Sequence, residues 1–260
     1  PIRNSKGVNT SAVYGFANTL LGILEHEHPT HIAACFDTSA PTARHELYPA
    51  YKANRESMPE DLSYQMPLIF RLLEAMNIPI LRYEGYEADD TIGTLARIAD
   101  GTKEFQTYMV SQDKDLGQLI SPTCYLWKPG KRGNDLENVK EQWGIERADQ
   151  VIDILALMGD SSDNIPGLPG VGEKTAKLLI GEFGTVENLL ANADKLKGKR
   201  RQIVEENGAL ATLSKQLATI DRDVPLTVTL PELVKRDPSP EELLALLQEL
   251  EFRSMQAKLF

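Results

Sequence analysis

Eight carboxylates stand in four short clusters, and each cluster follows an apolar run. Asp37 closes HIAACFD; Glu87, Asp89 and Asp90 lie in GYEADD; Asp113 and Asp115 lie in SQDKD; Asp160 and Asp163 lie in MGDSSDN. An apolar run that ends on a carboxylate reads as a buried strand delivering an acid to the end of a sheet. Four such deliveries, if they converge, collect more negative charge than water can screen, and divalent cations are what make the arrangement tolerable. The donors are all oxygen, so the expected ions are Mg²⁺ or Mn²⁺, two of them. Glu87, Asp89 and Asp90 also fall in the first turn of a predicted helix, where the dipole stabilises each by about 0.3–1 kcal/mol. Plain N-terminal capping accounts for one or two of those three. It does not account for the DKD and DSSD clusters as well.

Two further segments carry chemistry. In GLPGVGEKTAKLL, Gly167–Leu179, the glycines Gly167, Gly170 and Gly172 precede a helix starting at Glu173. Exposed amides there, with Lys174 and Thr175, can cradle a backbone phosphate without reading bases. An ordinary Gly-Pro turn is the plainer reading, and the spacing is not that of a Walker A loop. In YPAYKANR, Tyr51 suits stacking on a base, while Lys52 and Arg55 suit neutralising a phosphate and share a face if the segment is helical. A solvated charged loop is the plainer alternative.

These residues need a scaffold. Apolar spacing predicts a helix over 10–27 capped by Thr10 or Ser11, and helices over 66–77 and 87–99. Strands are expected at His31–Phe36, Ile78–Tyr83, Thr107–Val110 and Tyr125–Lys128. Residues 38–64 are polar and proline-punctuated, with little apolar periodicity, and a stretch of that kind is usually functional or disordered. Strand–helix alternation predicts an α/β fold with a mostly parallel central sheet flanked by helices. Beyond about residue 145 only helices and turns are expected, at 149–158, 173–182, 186–192, 199–207, 209–218 and 240–250. A boundary is placed near 145–160. Asn134–Val139 reads as a short link. The chain opens on a polar segment and goes straight to a helix, so the buried first strand usual in such a sheet is expected to be missing.

Bulk properties constrain the rest. The 260 residues carry net charge −10, with 42% hydrophobic residues. Acidity argues against a nucleic-acid partner, but eight acids belong to the proposed metal cluster, so the placement of the bases matters more. The bases are grouped: Arg44, Lys52 and Arg55; Lys128, Lys131 and Arg132; Lys195, Lys197, Lys199, Arg200 and Arg201. Each group alone reads as solvated surface. No apolar run is long enough to span a membrane, and the N-terminus has no signal-peptide core. Cys35 and Cys124 have no CxxC partner and read as buried, reduced thiols of a cytoplasmic protein.

Taken together, FDTSAPTARHELYPAYKANR, GYEADD, SQDKDLGQL, MGDSSDNIPGLPGVGEKTA and the closing LEF resemble the 5′-nuclease domain of bacterial DNA polymerase I, a member of the 5′-3′ exonuclease and flap endonuclease family. The resemblance covers nearly the whole chain. It implies a PIN-like sheet with flanking helices in residues 1–150, a helical arch at about 38–64, and a helical DNA-binding region in 151–260. That region would hold a helix–three-turn–helix with its hairpin at about 164–182. It implies two-metal phosphodiester hydrolysis with all eight carboxylates holding metal directly or through water. Lys52 and Arg55 would meet the scissile phosphate beside Tyr51, and Gly167–Thr175 would grip duplex backbone with a potassium ion. The implied substrates are 5′ flaps, nicks and RNA primers in replication and repair. The implied setting is a monomer in the bacterial nucleoid, with a covalently linked polymerase domain. The family's first strand ends in a further metal-binding aspartate, which is not among these residues. A junction-binding module without catalysis is the rival from another class, and a metal-dependent ribonuclease with a similar sheet is a second.

Overall fold

The computed structural model describes the backbone of residues 1–260 and every side chain but that of Arg132. The basic group assigned to Lys128, Lys131 and Arg132 therefore lies partly outside the described residues. The first elements are α1 (Ser11–Glu27), β1 (Ala34–Cys35), α2 (Ala43–Leu47), α3 (Glu60–Ala75), β2 (Ile80–Leu81) and α4 (Ala88–Thr102). Next come β3 (Thr107–Val110), a 3₁₀ turn (Lys114–Leu119), β4 (Cys124–Lys128), β5 (Lys131–Asn134) and α5 (Leu136–Trp143). The helices α6 (Gln150–Met158), α7 (Glu173–Phe183), α8 (Val186–Ala191), α9 (Gly198–Glu206), α10 (Gly208–Ala218), α11 (Pro240–Leu250) and α12 (Arg253–Leu259) complete the order. The elements fall into two compact units that interleave along the chain. One contains residues 1–36, 56–82 and 225–260, and the other contains residues 37–55 and 83–224.

In the first unit, Val13, Ala17 and Leu20 of α1 recur at i, i+4, i+7. They pack with Ile69, Leu72 and Leu73 of α3 and with Leu243, Leu246, Leu247 and Leu250 of α11. Thr10 is the N-cap of α1, but its side chain makes no capping bond. The buried Gln65 caps instead, its Oε1 accepting from the amides of Ala12 (2.8 Å) and Val13 (3.2 Å). The strands expected at His31–Phe36 and Ile78–Tyr83 shorten to one parallel ladder, Ala34 opposite Ile80 and Cys35 opposite Leu81. Helix α3 starts six residues before the expected 66, because Glu60 and Asp61 favour a helix N-terminus and offset the low apolar periodicity.

In the second unit, β3 pairs in parallel with β4, and β4 pairs antiparallel with β5. Parallel pairing is thus present as expected, in short pieces rather than long strands. The supposed link Asn134–Val139 is a strand end followed by a helix, with Asp135 and Asn138 forming a reciprocal capping pair at the start of α5. Helix α6 is buried on almost every side through Val151, Ile154, Leu155, Ala156 and Leu157, and packs on α7 and α10. Its one buried charge, Asp153, is satisfied by Lys215 Nζ (2.8 Å) and the Val186 amide (2.9 Å). Cys124 is buried and Cys35 half-buried, and neither is in a disulfide. No described helix is long and apolar enough to cross a membrane.

The segment 38–64, expected as a helical arch, holds only the five-residue α2 and the first turn of α3. Between them residues 50–54 run as turns, with Lys52 in the left-handed region at φ 56°. After α6 the chain turns back on itself. Asp160 and Ile165 exchange backbone hydrogen bonds (3.0 and 2.9 Å), which closes the loop carrying Asp160 and Asp163. Gly159 and Gly167 make that closure sterically feasible. Both have positive φ, and a Cβ on Gly167 would stand 2.4 Å from the Gly159 nitrogen. Gly167→Ala should therefore destabilise the protein by roughly 2–4 kcal/mol, from strain and overpacking together. A urea midpoint unchanged from wild type would contradict this account of the loop.

Candidate metal centre

The acids arrive from four places in the second unit. Asp37 accepts the Ala88 amide at 2.6 Å, so it sits at the N-terminus of α4. Glu87 is the N-cap of that helix, and Asp89 and Asp90 occupy its first turn. Asp113 ends the run after β3 and caps the 3₁₀ turn, its Oδ1 accepting the Asp115 amide at 2.9 Å. Asp160 and Asp163 come from the loop after α6, with Asp160 Oδ1 held by the Ser162 amide (2.9 Å) and hydroxyl (2.6 Å). Seven of these, Asp37, Glu87, Asp89, Asp90, Asp113, Asp115 and Asp163, line one pocket of about 210 Å³ together with Arg44, Tyr51, Lys52 and Arg55. A larger cavity of about 900 Å³ in the first unit, lined by Lys6, Tyr64 and Arg71 among others, holds none of the predicted site residues.

The electrostatics are those of crowded acids. Burial, then the charge and hydrogen bond of Asp113, then Glu87 and Asp37, push Asp89 up to about 8. Burial and the charges of Asp113, Asp160 and Asp163 push Asp115 up to about 7. Asp163 is raised by burial, against the opposing charges of Lys52 and Arg55. One oxygen, Asp115 Oδ1, is buried with no hydrogen-bond partner. Carboxylate oxygens of Asp115, Asp160 and Asp163 all lie within 4.8 Å of one another. A buried acceptor left without a donor, inside a set of hard oxygen ligands, is the environment a divalent cation fits.

Cations from the 50–55 segment meet these acids. Lys52 Nζ and the Tyr51 hydroxyl both bond Glu87, and Arg55 pairs with Asp163. The backbones are laced together as well. The Lys52 amide donates to the Asp163 carbonyl (2.8 Å), Asn164 Nδ2 to the Ala50 carbonyl (2.6 Å) and Asn54 Nδ2 to the Ser161 carbonyl (2.7 Å).

Three assignments made from sequence change here. Asp90 does not face the pocket as a free ligand. Both of its oxygens are taken, by the Arg44 guanidinium at 2.9 and 3.0 Å and by the amides of Glu87 (3.0 Å) and Asp221 (2.9 Å). Burial opposes its charge, but these donors hold it below the usual carboxylate range. Tyr51 is only 4% exposed, so its ring is core rather than an open platform for a base. Gly167 is buried and donates its amide to the Ser214 hydroxyl (2.9 Å), so its role is the loop closure rather than a phosphate cradle. Gly170, Gly172 and Lys174 are exposed and Thr175 half-buried at the start of α7. Sequence reasoning missed the place of Arg44, which it grouped with surface bases. Its partners Glu87 and Asp90 are 43 and 46 residues away, a separation no local pattern reveals.

Residues 1–145 match the family described as the 5′-3′ exonuclease N-terminal resolvase-like domain, and residues 146–241 match the 5′-3′ exonuclease C-terminal SAM fold. The chain belongs to the 5′-3′ exonuclease family. Its curated relatives include DNA polymerase I of Bacillus caldotenax, 43% identical over 99% of this chain, and that of Bacillus subtilis, also 43% identical over 99%. The chain spans about 30% of the length of these relatives. Solved 5′-exonucleases share the fold. A T5 5′-exonuclease with bound zinc matches at TM-score 0.67 and 23% identity, covering 80% of this chain and 81% of that one. A T5 flap endonuclease in a pseudo-enzyme–product complex with DNA and metal ions matches at TM-score 0.67 and 22% identity, covering 93% and 91%. The catalytic core of Rad2 with DNA substrate matches at TM-score 0.58 and 17% identity, covering 96% and 82%.

The raised acids of this exonuclease-family site have a consequence for stability. A carboxyl whose pKa is higher folded than unfolded keeps a proton in the native state above about pH 4, where the unfolded chain has released it. Its contribution is complete below about pH 4 and is lost as pH rises through the native values of about 7 and 8. The metal-free protein should therefore melt at progressively lower temperature from pH 5 to 8.5, and Asp89→Asn should flatten the decline. Calorimetric scans across that range decide it; a melting temperature that climbs with pH refutes the assignment.

Proposed function

We propose that this chain is a structure-specific 5′ nuclease that hydrolyses phosphodiester bonds at 5′ flaps, nicks and RNA primers, using two Mg²⁺ or Mn²⁺ ions. The observation that carries the reading is the pocket in which seven carboxylates, one of them with an unpartnered buried oxygen, meet Lys52 and Arg55. Asp115, Asp160 and Asp163 are the best-disposed ligands, with Asp37, Glu87, Asp89 and Asp113 forming the rest of the set. Bound there, divalent cations supply a nucleophilic hydroxide at neutral pH and stabilise the leaving 3′ oxygen. Lys52 and Arg55, at the mouth of the acid cluster, neutralise charge that builds on the scissile phosphate. A site this acidic repels DNA, so the chain must bind it elsewhere. The exposed amides and cation of Gly170, Gly172, Lys174 and Thr175 suit grip on duplex phosphates, with selectivity for structure rather than sequence. A potassium ion at that turn belongs to the same reading. So do the division into a nuclease core (1–150) and a helical DNA-binding region (151–260), a monomeric state, and a polymerase domain in the same polypeptide. The presence of DNA in a related T5 complex supports the substrate class.

The test is cleavage of a 5′-labelled double-flap DNA in Mg²⁺ and in EDTA. Cutting near the flap junction, abolished by EDTA, is expected. Asp113→Ala should lower turnover by more than about 100-fold, beyond the usual loss from a group one layer outside the ligands. Duplex affinity should stay within about tenfold, because phosphate contacts dominate it. Tight flap binding with no metal-dependent cutting would favour the junction-binding module instead.

A further inference from the structure

Arg44 is the most heavily engaged side chain of the second unit. Its guanidinium is 13% exposed and has five N–H groups, and each meets an acceptor. Nε donates to the Leu217 carbonyl (3.0 Å), Nη1 to Glu87 Oε2 (2.7 Å) and Asp90 Oδ2 (3.0 Å), and Nη2 to Asp90 Oδ1 (2.9 Å) and the Thr219 carbonyl (2.7 Å). Asp90, whose side chain is 2% exposed, is equally saturated, since it also receives the amides of Glu87 and Asp221. The pair therefore joins α2, the first turn of α4 and the end of α10 through bonds that leave no spare donor. Arg44 and Asp90 both border the pocket, and Nη1 holds Glu87 Oε2, which also accepts the Tyr51 hydroxyl at 3.0 Å, while Glu87 Oε1 faces Lys52. Such a saturated, planar fork is poorly suited to meeting substrate and well suited to setting an angle.

We propose that Arg44 is a positioning residue for the metal centre: anchored by Asp90, it sets the orientation of Glu87 and the placement of the α4 first turn that carries Asp89. Asp90 is then the counter-ion of Arg44 and not a ligand. The inference rests on the nuclease reading of the pocket. It predicts that losing the fork weakens metal binding even when the fold survives. A purely structural role for Arg44 would lower stability and leave metal affinity alone.

The experiment compares Arg44→Lys, Asp90→Asn and the double variant with wild type. Mn²⁺ affinity is read from the electron paramagnetic resonance of free Mn²⁺ well below each melting temperature, and kcat and KM are read on flap DNA. Lysine keeps the charge but cannot reproduce the planar five-donor fork. Arg44→Lys should weaken Mn²⁺ binding about tenfold and lower kcat by about 10–100-fold, with KM within about threefold, as for groups that orient metal ligands. Asp90→Asn should do the same, and the double variant should be no worse than about twofold beyond the weaker single one, because both break one unit. Wild-type Mn²⁺ affinity in Arg44→Lys overturns the proposal. If that variant does not fold, unchanged affinity in the isosteric Asp90→Asn overturns it equally. Additive losses also overturn it, since they make Asp90 a ligand in its own right. Failure of wild type itself to bind Mn²⁺ or to cut refutes the nuclease reading, and is recognised before any variant is compared.

Discussion

Like charges gathered into a small volume repel, and the second unit is organised around containing that repulsion. Two unit charges at the 4.8 Å limit found for Asp115, Asp160 and Asp163 cost about 3.5 kcal/mol at an effective dielectric of about 20. Eight acids in and beside one pocket would make the native state untenable if every one were ionised and unpaired. The fold answers in three ways. Asp37, Glu87 and Asp89 sit at the start of α4, where the helix dipole favours them. Three cations, Arg44, Lys52 and Arg55, lie against Glu87, Asp90 and Asp163. Burial and neighbouring acids raise Asp89 to about 8 and Asp115 to about 7, so these two carry less charge near neutral pH than free carboxylates do. Each answer leaves a remainder of negative charge that divalent cations are suited to meet.

The three cations are not equivalent. Arg44 is enclosed and fully bonded, so it belongs to the architecture of the centre. Arg55 is half-exposed, and Lys52 sits on a left-handed turn that no helix stabilises. Both are paired with acids of the pocket, Lys52 with Glu87 and Arg55 with Asp163. One segment of eighteen residues, 38–55, thus supplies both the rigid anchor and the paired charges. Its hydrogen bonds to the Asp160–Asn164 loop, one between backbones and two from side-chain amides, tie the charges to the acids they face.

The helical part of the second unit serves the centre from below. Helix α6 is buried on almost all sides, so its end is a fixed point from which the Gly159–Gly167 loop can present Asp160 and Asp163. The same loop continues into the exposed turn before α7. The loop carrying Asp160 and Asp163 and the exposed turn before α7 therefore share one packed helix pair. Membership of the 5′-3′ exonuclease family agrees with that economy of parts.

Much of this was present in the chain as written. Apolar periodicity located α1, α6, α7 and α11 to within a residue or two and α4 to within three, because each buries one regular face or, for α6, nearly all of it. The acid clusters named their chemistry because oxygen donors in that number suit one class of ion. Three things lay beyond local reading. The strands β1 and β2 shortened because pairing depends on a partner distant in sequence. Gln65 took over the cap of α1, and Tyr51 turned inward to Glu87, because both answer to groups that only folding brings near. Asp90 is set apart from the other seven acids by Arg44, which saturates it and whose reach across 43 and 46 residues is set by tertiary packing. Residue type determined what the centre can bind; three-dimensional proximity decided which acid is left free to bind it, since a carboxylate already saturated by buried donors has no lone pair to offer.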